Sequence, residues 1–132
     1  MSKGSVLLVD DDWDSVNVLS QILWNEGYSI DVARHGLEAL DRVKAQKHTV
    51  AILDYIMPYY QGDELAKLIK GINPDIHLIL VTGYKIILHQ ASVKVFDYVL
   101  EKPLDISALF EALREIQEKP TMNSVQVLDR VV

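Results

Sequence analysis

The stretch VLLVDDD at residues 6–12 joins a short apolar run to three consecutive aspartates. Four apolar residues in a row are typical of a central parallel strand that is covered on both faces. Carboxylates at the end of a buried strand are costly unless another group compensates them. The stretch therefore predicts an α/β fold with a polar site at the carboxyl end of its first strand.

Four more short apolar runs follow, and segments with helical periodicity separate them. The runs occupy residues 30–33, 50–53, 76–81 and 96–100. The first and last of these four are interrupted by polar residues, which is typical of edge strands. This alternation predicts a doubly wound, five-stranded parallel sheet with helices on both faces, of the flavodoxin-like kind.

The helical segments carry their own boundary signals. Gly27 and Gly71 follow the first and third apolar stripes, and we expect both at helix C-terminal caps. Asp105 precedes the last stripe and is a reasonable N-cap. Asp12 and Asp14 are interpreted in the same way, as residues that favour the start of the first helix.

Length and composition argue against several classes of function. The 132 residues fit one domain, and the 49% hydrophobic content is ordinary for a soluble protein. The absence of cysteine excludes disulfides and thiolate zinc sites and suits the reducing cytoplasm. A net charge of -6 argues against direct nucleic-acid binding through phosphates. The apolar runs fall short of the ~20 residues that span a bilayer, and no signal-peptide pattern is present, so we expect no membrane contact.

Polar residues stand directly after four of the predicted strands. Asp10, Asp11 and Asp54 end two buried strands, and the carboxyl ends of parallel strands meet at one edge of the sheet. Three carboxylates with water nearby suit Mg²⁺, which prefers oxygen ligands. Lys102 beside them is either a structural ion pair or, with a metal, part of a phosphoryl-transfer pocket. Thr82 has a hydroxyl for a phosphoryl oxygen, although threonine is also ordinary in strands.

Four motifs occur in order at these strand ends. They are Val9-Asp10-Asp11, Asp54-Tyr55-Ile56-Met57-Pro58 followed by Gly62, Val81-Thr82-Gly83 and Lys102-Pro103. With these motifs, residues 5 to 117 resemble the receiver domains of two-component response regulators, which share the chemotaxis-regulator-like fold. The resemblance implies residues 1–118 as the receiver domain and 119–132 as a tail or the start of a linker.

The resemblance implies a phosphoacceptor switch with Asp54 at its centre. Asp54 would take a phosphoryl group from a sensor histidine kinase or a histidine phosphotransfer protein. Asp10, Asp11, Asp54 and the backbone carbonyl of Ile56 would hold Mg²⁺ or Mn²⁺. Beyond its own phosphorylation and slow dephosphorylation, such a domain is not an enzyme, and a homodimer is compatible with it.

The resemblance assigns the other motifs to the phosphoryl group and the loop around it. Lys102 would contact the group, helped by a cis bond to Pro103, and Thr82 would report its presence. Gly62 would supply a positive φ in the loop after Asp54. Ile56 and Tyr84 would tune the lifetime of the acyl phosphate, and their bulk predicts slow autodephosphorylation.

Two features depart from the family pattern. Tyr98 stands four residues before Lys102, whereas the usual switch aromatic stands three before, where Val99 is found. Because strand faces alternate, Tyr98 is either the switch aromatic, with a bulge, or an ordinary core tyrosine. The stretch 82–102 is also about two residues short for the family, and we expect the helix near residues 86–92 to be short or irregular.

Surface candidates and rival functions complete the sequence-based expectations. Tyr59 and Tyr60 are predicted on an exposed loop, and Asp14, Ser15, Val18 and Gln21 are partner-recognition candidates by position. The histidines show no metal-ligand spacing. One rival is a haloacid-dehalogenase-type phosphatase that uses the aspartates at 10 and 12. The other is a non-phosphorylated interaction module on the same fold.

Overall fold

Five parallel strands form the centre of the molecule in the computed structural model, which describes residues 2–83 and 94–118. They are β1 (Ser5–Val9), β2 (Ser29–Ala33), β3 (Val50–Asp54), β4 (His77–Thr82) and β5 (Tyr98–Glu101). The strand order is β2-β1-β3-β4-β5. The predicted parallel sheet is confirmed, with the two polar-interrupted strands at its edges.

Four described helices cover the two faces of the sheet. They are α1 (Trp13–Asn25), α2 (Gly36–Ala45), α3 (Gly62–Ile72) and α4 (Ile106–Glu118). Side chains of α2 and α3 share one core cluster, and side chains of α1 and α4 share the other. The predicted helix at 86–92, Tyr84 and the tail 119–132 lie outside the described residues. Within the described part of the chain, no helix is long and apolar enough to cross a membrane.

The two core clusters follow from the alternation of side chains along the strands. On β1, Leu7 points to the α2/α3 cluster and Leu8 points to the α1/α4 cluster. Both side chains are at most 2% exposed. A strand that is buried on both faces must be apolar throughout, which explains why the runs in β1, β3 and β4 show no alternation.

Three of the residues predicted at helix ends are confirmed in that role, and one is not. Asp12 caps α1 by accepting the backbone N–H groups of Asp14 and Ser15. Asp105 accepts the N–H of Ser107 at 2.9 Å, and Gly27 has a φ of 105° just beyond α1. The prediction that Gly71 ends the third helix is wrong.

Asn73, rather than Gly71, is the C-terminal cap of α3. Its N–H donates to the carbonyl of Ile69 at 2.9 Å, and its buried side-chain amide donates to the carbonyl of His48 at 3.3 Å. The helix therefore continues past Gly71 until it reaches this tertiary anchor, which linear spacing does not reveal.

Carboxylate–imidazole pairs lie away from the aspartate motifs: His77 and Asp97 are both buried, whereas Asp31, the partner of His48, is half-buried. Nε2 of His48 lies 3.0 Å from Oδ2 of Asp31, whose other oxygen is 3.5 Å from Arg42. Nδ1 of His77 lies 3.3 Å from Oδ2 of Asp97. That oxygen also accepts the N–H of Leu78 at 2.9 Å, which joins β4 to the start of β5.

Candidate functional site

Three carboxylates converge where β1 and β3 end. Asp10, Asp11 and Asp54 each present one oxygen, and the three oxygens lie within 4.8 Å of one another. Asp10 and Asp54 are half-buried, whereas Asp11 is exposed to solvent. This arrangement offers a divalent cation several oxygen ligands and leaves room for water, as Mg²⁺ requires. The donor set therefore fits the predicted metal.

Asp10 is held in place by the backbone of its neighbours. Its Oδ1 accepts the N–H of Asp12 at 2.9 Å, and its own N–H donates to the carbonyl of Ala33 at 3.1 Å. Burial raises the pKa of the Asp10 carboxyl, and the nearby Asp54 carboxylate acts in the same direction. The hydrogen bond from Asp12 and the charge of Lys102 oppose this rise only in part. The site thus concentrates negative charge that a cation would relieve.

Lys102 places a positive charge beside Asp54. Its Nζ lies 3.3 Å from Oδ2 of Asp54, and the two side chains are 43% and 14% exposed. The backbone N–H of Lys102 donates to the carbonyl of Thr82 at 2.9 Å. The peptide bond between Lys102 and Pro103 is cis, as predicted. The four strand-end motifs therefore meet at one edge of the sheet.

The loop after Asp54, residues 55–61, is closed by a close backbone approach. Gly62 donates its N–H to the carbonyl of Tyr55 at 2.7 Å. A β-carbon on Gly62 would lie 3.0 Å from the carbonyl oxygen of Asp54 and 3.0 Å from Cα of Tyr55. The prediction that Gly62 supplies a positive φ is wrong, because the left-handed residue of this loop is Tyr59, with a φ of 77°. Gly62 is needed for space.

Tyr98 and Val99 point to opposite faces of the sheet, and Val99 stands at the position of the usual switch aromatic. Pairing between β4 and β5 is continuous, from Ile79 with Tyr98 to Thr82 with Glu101, so no bulge shifts the register. Tyr98 packs in the α1/α4 cluster, and Val99 packs in the α2/α3 cluster. The hydroxyl of Tyr98 donates to Oε1 of Glu115 on α4 at 2.7 Å.

The remaining candidates divide between the surface and the core. Ile56 is 49% exposed beside the site, and Tyr59 is 70% exposed. Tyr60 is half-buried and packs against the α2/α3 cluster, so the prediction of two exposed tyrosines holds for Tyr59 only. The recognition candidates on α1, namely Asp14, Ser15, Val18 and Gln21, are all exposed.

A groove runs from the carboxylates between α1 and the segment that leads into α4, and its lining includes Leu8, Ile52 and Val81 of the sheet. Its volume is about 640 Å³, and Asp54 and Lys102 lie at one end. Apolar side chains of α1 and of the segment that leads into α4 form its walls, among them Leu19, Ile22 and Leu104. Three of the four recognition candidates, Asp14, Ser15 and Val18, also line it.

Sequence reasoning missed the contacts made by residues 34–36, between β2 and α2. The guanidinium carbon of Arg34 lies 5.5 Å from the ring centre of Trp13. The ring of His35 meets the ring of Tyr59 edge to face, with centroids 5.1 Å apart. No spacing in the sequence signals these contacts, because they join segments that are distant along the chain.

Comparison with known proteins assigns the class. The family model described as the response regulator receiver domain matches residues 6–114. The chain belongs to this family, and it is a receiver domain of the two-component kind.

Individual relatives cover different shares of their own length. Sporulation initiation phosphotransferase F of Bacillus subtilis is 30% identical over 117 residues, which span 87% of this chain and 94% of the relative. The transcriptional regulatory protein ZraR of Klebsiella oxytoca is 32% identical over 113 residues, which span 83% of this chain. The chain corresponds to only 25% of the length of that regulator.

Solved structures show the same architecture. The response regulator TrrA from Thermotoga maritima, determined in complex with Mg²⁺ and BeF, superposes with a TM-score of 0.81 at 31% identity. The match covers 88% of this chain and 99% of that one. A CheY-like receiver domain from Methanospirillum hungatei superposes with a TM-score of 0.82 at 28% identity, covering 86% and 93% of the two chains.

Proposed function

We propose that this chain is a phosphoacceptor switch in which Asp54 receives a phosphoryl group from a histidine of a partner protein. The observation that carries the proposal is the ammonium of Lys102, 3.3 Å from Oδ2 of Asp54 beside the three-carboxylate cluster. A carboxylate alone repels a phosphoryl group. A carboxylate with an adjacent cation and a metal site has the charges that phosphoryl transfer needs.

The transfer is a displacement at phosphorus. A carboxylate oxygen of Asp54 attacks the phosphorus of a phosphohistidine and forms an acyl phosphate. The phosphorus–nitrogen bond breaks, and its electron pair stays on the imidazole nitrogen, which takes up a proton. Lys102 then faces the transferred phosphoryl oxygens in place of the Asp54 carboxylate and compensates their charge.

The metal ligands of this proposal are Asp10, Asp11, Asp54 and the backbone carbonyl of Ile56. Mg²⁺, or Mn²⁺ in its place, would neutralise and orient the phosphoryl oxygens. The side chain of Asp10 is already oriented by the N–H of Asp12. The half-buried carboxylates of Asp10 and Asp54 gain most from a cation, because burial makes an uncompensated charge costly.

Thr82 and Tyr98 are the proposed residues of the response, and Tyr98 would act without the bulge that a switch aromatic at this position was expected to need. Thr82 is 1% exposed, and its carbonyl accepts the backbone N–H of Lys102. A movement of the Lys102 backbone would therefore shift Thr82. Tyr98 lies three pairs away along β5 and reaches Glu115 on α4. A change at Thr82 would thus reach the outer surface of α4 through β5 and this hydrogen bond.

The acyl phosphate is proposed to be long-lived. The side chain of Ile56 stands 49% exposed beside the acceptor and presents an apolar barrier to attacking water. Tyr84, the second proposed tuning residue, lies outside the described residues. Slow autodephosphorylation in Mg²⁺ is expected, and a phosphorylated half-life of only seconds would contradict this part of the proposal. On this reading the chain catalyses only its own phosphorylation and slow dephosphorylation.

The proposed donors are a sensor histidine kinase or a histidine phosphotransfer protein in the cytoplasm. The groove beside α1 leads from the surface to Asp54, and Ser15 and Val18 line it. A partner that docks there would bring its phosphohistidine to the acceptor. We propose residues 1–118 as the receiver unit and 119–132 as a tail or linker, and a homodimer is compatible with this unit.

The function is tested by labelling with a small acyl phosphate or amido phosphate in Mg²⁺, followed by intact mass. The parent protein should gain one phosphoryl group, and Asp54→Asn should gain none. Asp75→Asn is a matched control, because Asp75 is an exposed carboxylate just before β4. Equal labelling of the parent and Asp54→Asn would reject the proposal.

Peptide mapping of the label separates the rival functions. Label on Asp10 would favour the haloacid-dehalogenase-type phosphatase, although that mechanism also needs the residue at 12. The carboxylate of Asp12 already caps α1 through the N–H groups of Asp14 and Ser15. Absence of any label in the parent would favour the non-phosphorylated interaction module.

A further inference from the structure

Residues 34–36, which connect β2 to α2, contact both segments that carry the carboxylates. Arg34 lies over the ring of Trp13, the first residue of α1, just beyond the aspartates at 10–12. His35 and Gly36 contact the loop 55–61, which begins directly after Asp54. The connection therefore bridges the two halves of the proposed metal site without belonging to it.

The contact between Gly36 and Tyr60 is one that only glycine permits. A β-carbon on Gly36 would lie 2.5 Å from Cδ2 of Tyr60 and 3.1 Å from its Cβ. Rotation of the ring would not relieve the second overlap, because the Cβ of Tyr60 moves only with the backbone. Tyr60 is also packed against the α2/α3 core cluster. Any larger residue at position 36 must therefore displace the loop.

The contact between His35 and Tyr59 is made by a side chain that is itself fixed. Nδ1 of His35 accepts the N–H of Glu38 at 3.2 Å and so caps α2. Oε1 of Glu38 accepts the N–H of Arg34 at 2.6 Å. The ring of His35 meets Tyr59, whose φ of 77° is rare for a residue with a side chain and persists only where its surroundings hold it.

We propose that residues 34–36 form a brace that sets the position of the loop 55–61, with Gly36 as a positioning residue for phosphoryl transfer. The inference rests on the proposed function of Asp54. Ile56, whose carbonyl is a proposed metal ligand, lies in the braced loop, and the loop is closed by Gly62 on Tyr55. Because this hydrogen bond closes a loop of only a few residues, displacement of Tyr60 moves the carbonyl of Ile56 relative to Asp54.

The first test compares Gly36→Ala with Gly71→Ala. Gly71 is the matched control, because a β-carbon there meets nothing within 4 Å. Mg²⁺ binding is followed by the fluorescence of Trp13 in a Trp24→Phe background. We expect Gly36→Ala to weaken Mg²⁺ binding by about tenfold or more, as loss of the groups that orient a metal ligand does. Labelling of Asp54 at a fixed Mg²⁺ concentration should slow in parallel, and the control should match the parent.

The second test is a rescue that a purely structural defect would not show. In a Tyr60→Ala background the ring and its 2.5 Å overlap are gone and only the 3.1 Å contact with Cβ remains, so Gly36→Ala should lose most of its effect on Mg²⁺ binding. His35→Asn provides an independent variant, because asparagine keeps an N-cap acceptor while it removes the ring that contacts Tyr59. It should weaken Mg²⁺ binding severalfold and leave the melting temperature of the metal-free protein nearly unchanged.

The outcomes separate this inference from the proposed function. Parent-like Mg²⁺ binding in both Gly36→Ala and His35→Asn would overturn the brace, as would an undiminished effect of Gly36→Ala in the Tyr60→Ala background. If the parent binds Mg²⁺ but takes no phosphoryl group, the proposed function fails, and the Mg²⁺ titrations still decide whether the brace exists.

Discussion

Lys102 donates its backbone N–H to the carbonyl of Thr82 at 2.9 Å, so the main chain joins the cation of the site to the threonine beside it. The same lysine reaches Asp54 through its side chain. One residue thus links the end of β3 to the end of β4. This relationship makes Lys102 the most informative single position to change.

Replacing Lys102 by methionine should separate metal binding from phosphorylation. The ammonium lies 3.3 Å from Oδ2 of Asp54 and competes with a cation for that oxygen, so its removal should tighten Mg²⁺ binding. Labelling of Asp54 should slow by about 10²-fold, because the charge on the transferring group loses a compensating donor. Calorimetry and intact mass measure the two effects.

Lys47→Met is the control for this prediction, since Lys47 is exposed near the amino end of the sheet. It should leave the affinity for Mg²⁺ and the rate of Asp54 labelling unchanged. Weaker Mg²⁺ binding in Lys102→Met would contradict the competition argument.

Replacing Asp10 by asparagine should stabilise the metal-free protein at neutral pH. Burial raises the pKa of Asp10 in the folded state, so folding disfavours its charged form, and stability falls as the pH rises through that pKa. Asparagine removes the charge and keeps an acceptor for the N–H of Asp12. The gain should be full near pH 7, where both states are ionised, and should vanish only below about pH 4, where the carboxyl is protonated in the unfolded chain as well.

Urea unfolding in EDTA at several pH values measures this effect, with Asp75→Asn as the control carboxylate. A metal-free Asp10→Asn protein less stable than the parent at pH 7 would contradict it. Saturating Mg²⁺ should reverse the order of stability of the two proteins, because the metal binds more tightly to the folded parent, which keeps all three carboxylates.

Replacing Gly62 by alanine should strain the backbone that carries the acceptor. The new β-carbon would lie 3.0 Å from the carbonyl oxygen of Asp54 and 3.0 Å from Cα of Tyr55, and neither backbone atom yields easily. We expect a loss of about 1–3 kcal/mol in the free energy of unfolding, as for other overpacked sites. The comparable change Gly71→Ala should instead add about 0.4–1 kcal/mol. Equal shifts in urea midpoint for the two variants would refute the spatial explanation.

Replacing Tyr98 by phenylalanine tests its role in the response. Loss of the 2.7 Å hydrogen bond to Glu115 should lower the free energy of unfolding by about 1–2 kcal/mol. Labelling of Asp54 should proceed at the parent rate, because the hydroxyl points to α4. If Tyr98 transmits the response, the phosphorylation-dependent change in the NMR spectrum of α4 should shrink in this variant.

Tyr59→Phe is the control for the Tyr98 variant, because it removes a hydroxyl from an exposed ring. A full spectral response in Tyr98→Phe would assign Tyr98 to the core alone.

The sheet and the meeting of the aspartates were predictable because both follow from local patterns and a topological rule. Apolar runs mark buried strands, and the carboxyl ends of parallel strands lie at one edge. Asp10, Asp11 and Asp54 are therefore brought together by the fold itself. Their mutual distances follow from which strands are neighbours, and the sequence pattern limits that choice strongly.

The features that sequence reasoning missed depend on contacts between distant segments. Gly71 looked like a cap, but α3 continues to Asn73 because the amide of Asn73 bonds to the carbonyl of His48. Gly62 looked like a positive-φ residue, but its role is to let α3 approach the backbone of Asp54. In both cases the structural role of the glycine depends on contacts with residues that are distant along the chain.

The buried pair of His77 and Asp97, at the amino ends of β4 and β5, has a consequence for engineering. His77 and Asp97 join β4 to β5 at the end of the sheet remote from Asp54. The His77–Asp97 pair and the carboxylate cluster thus lie at opposite ends of the sheet. A change at the carboxylate cluster leaves the contacts of His77 and Asp97 in place, so the two ends of the sheet can be altered independently of each other.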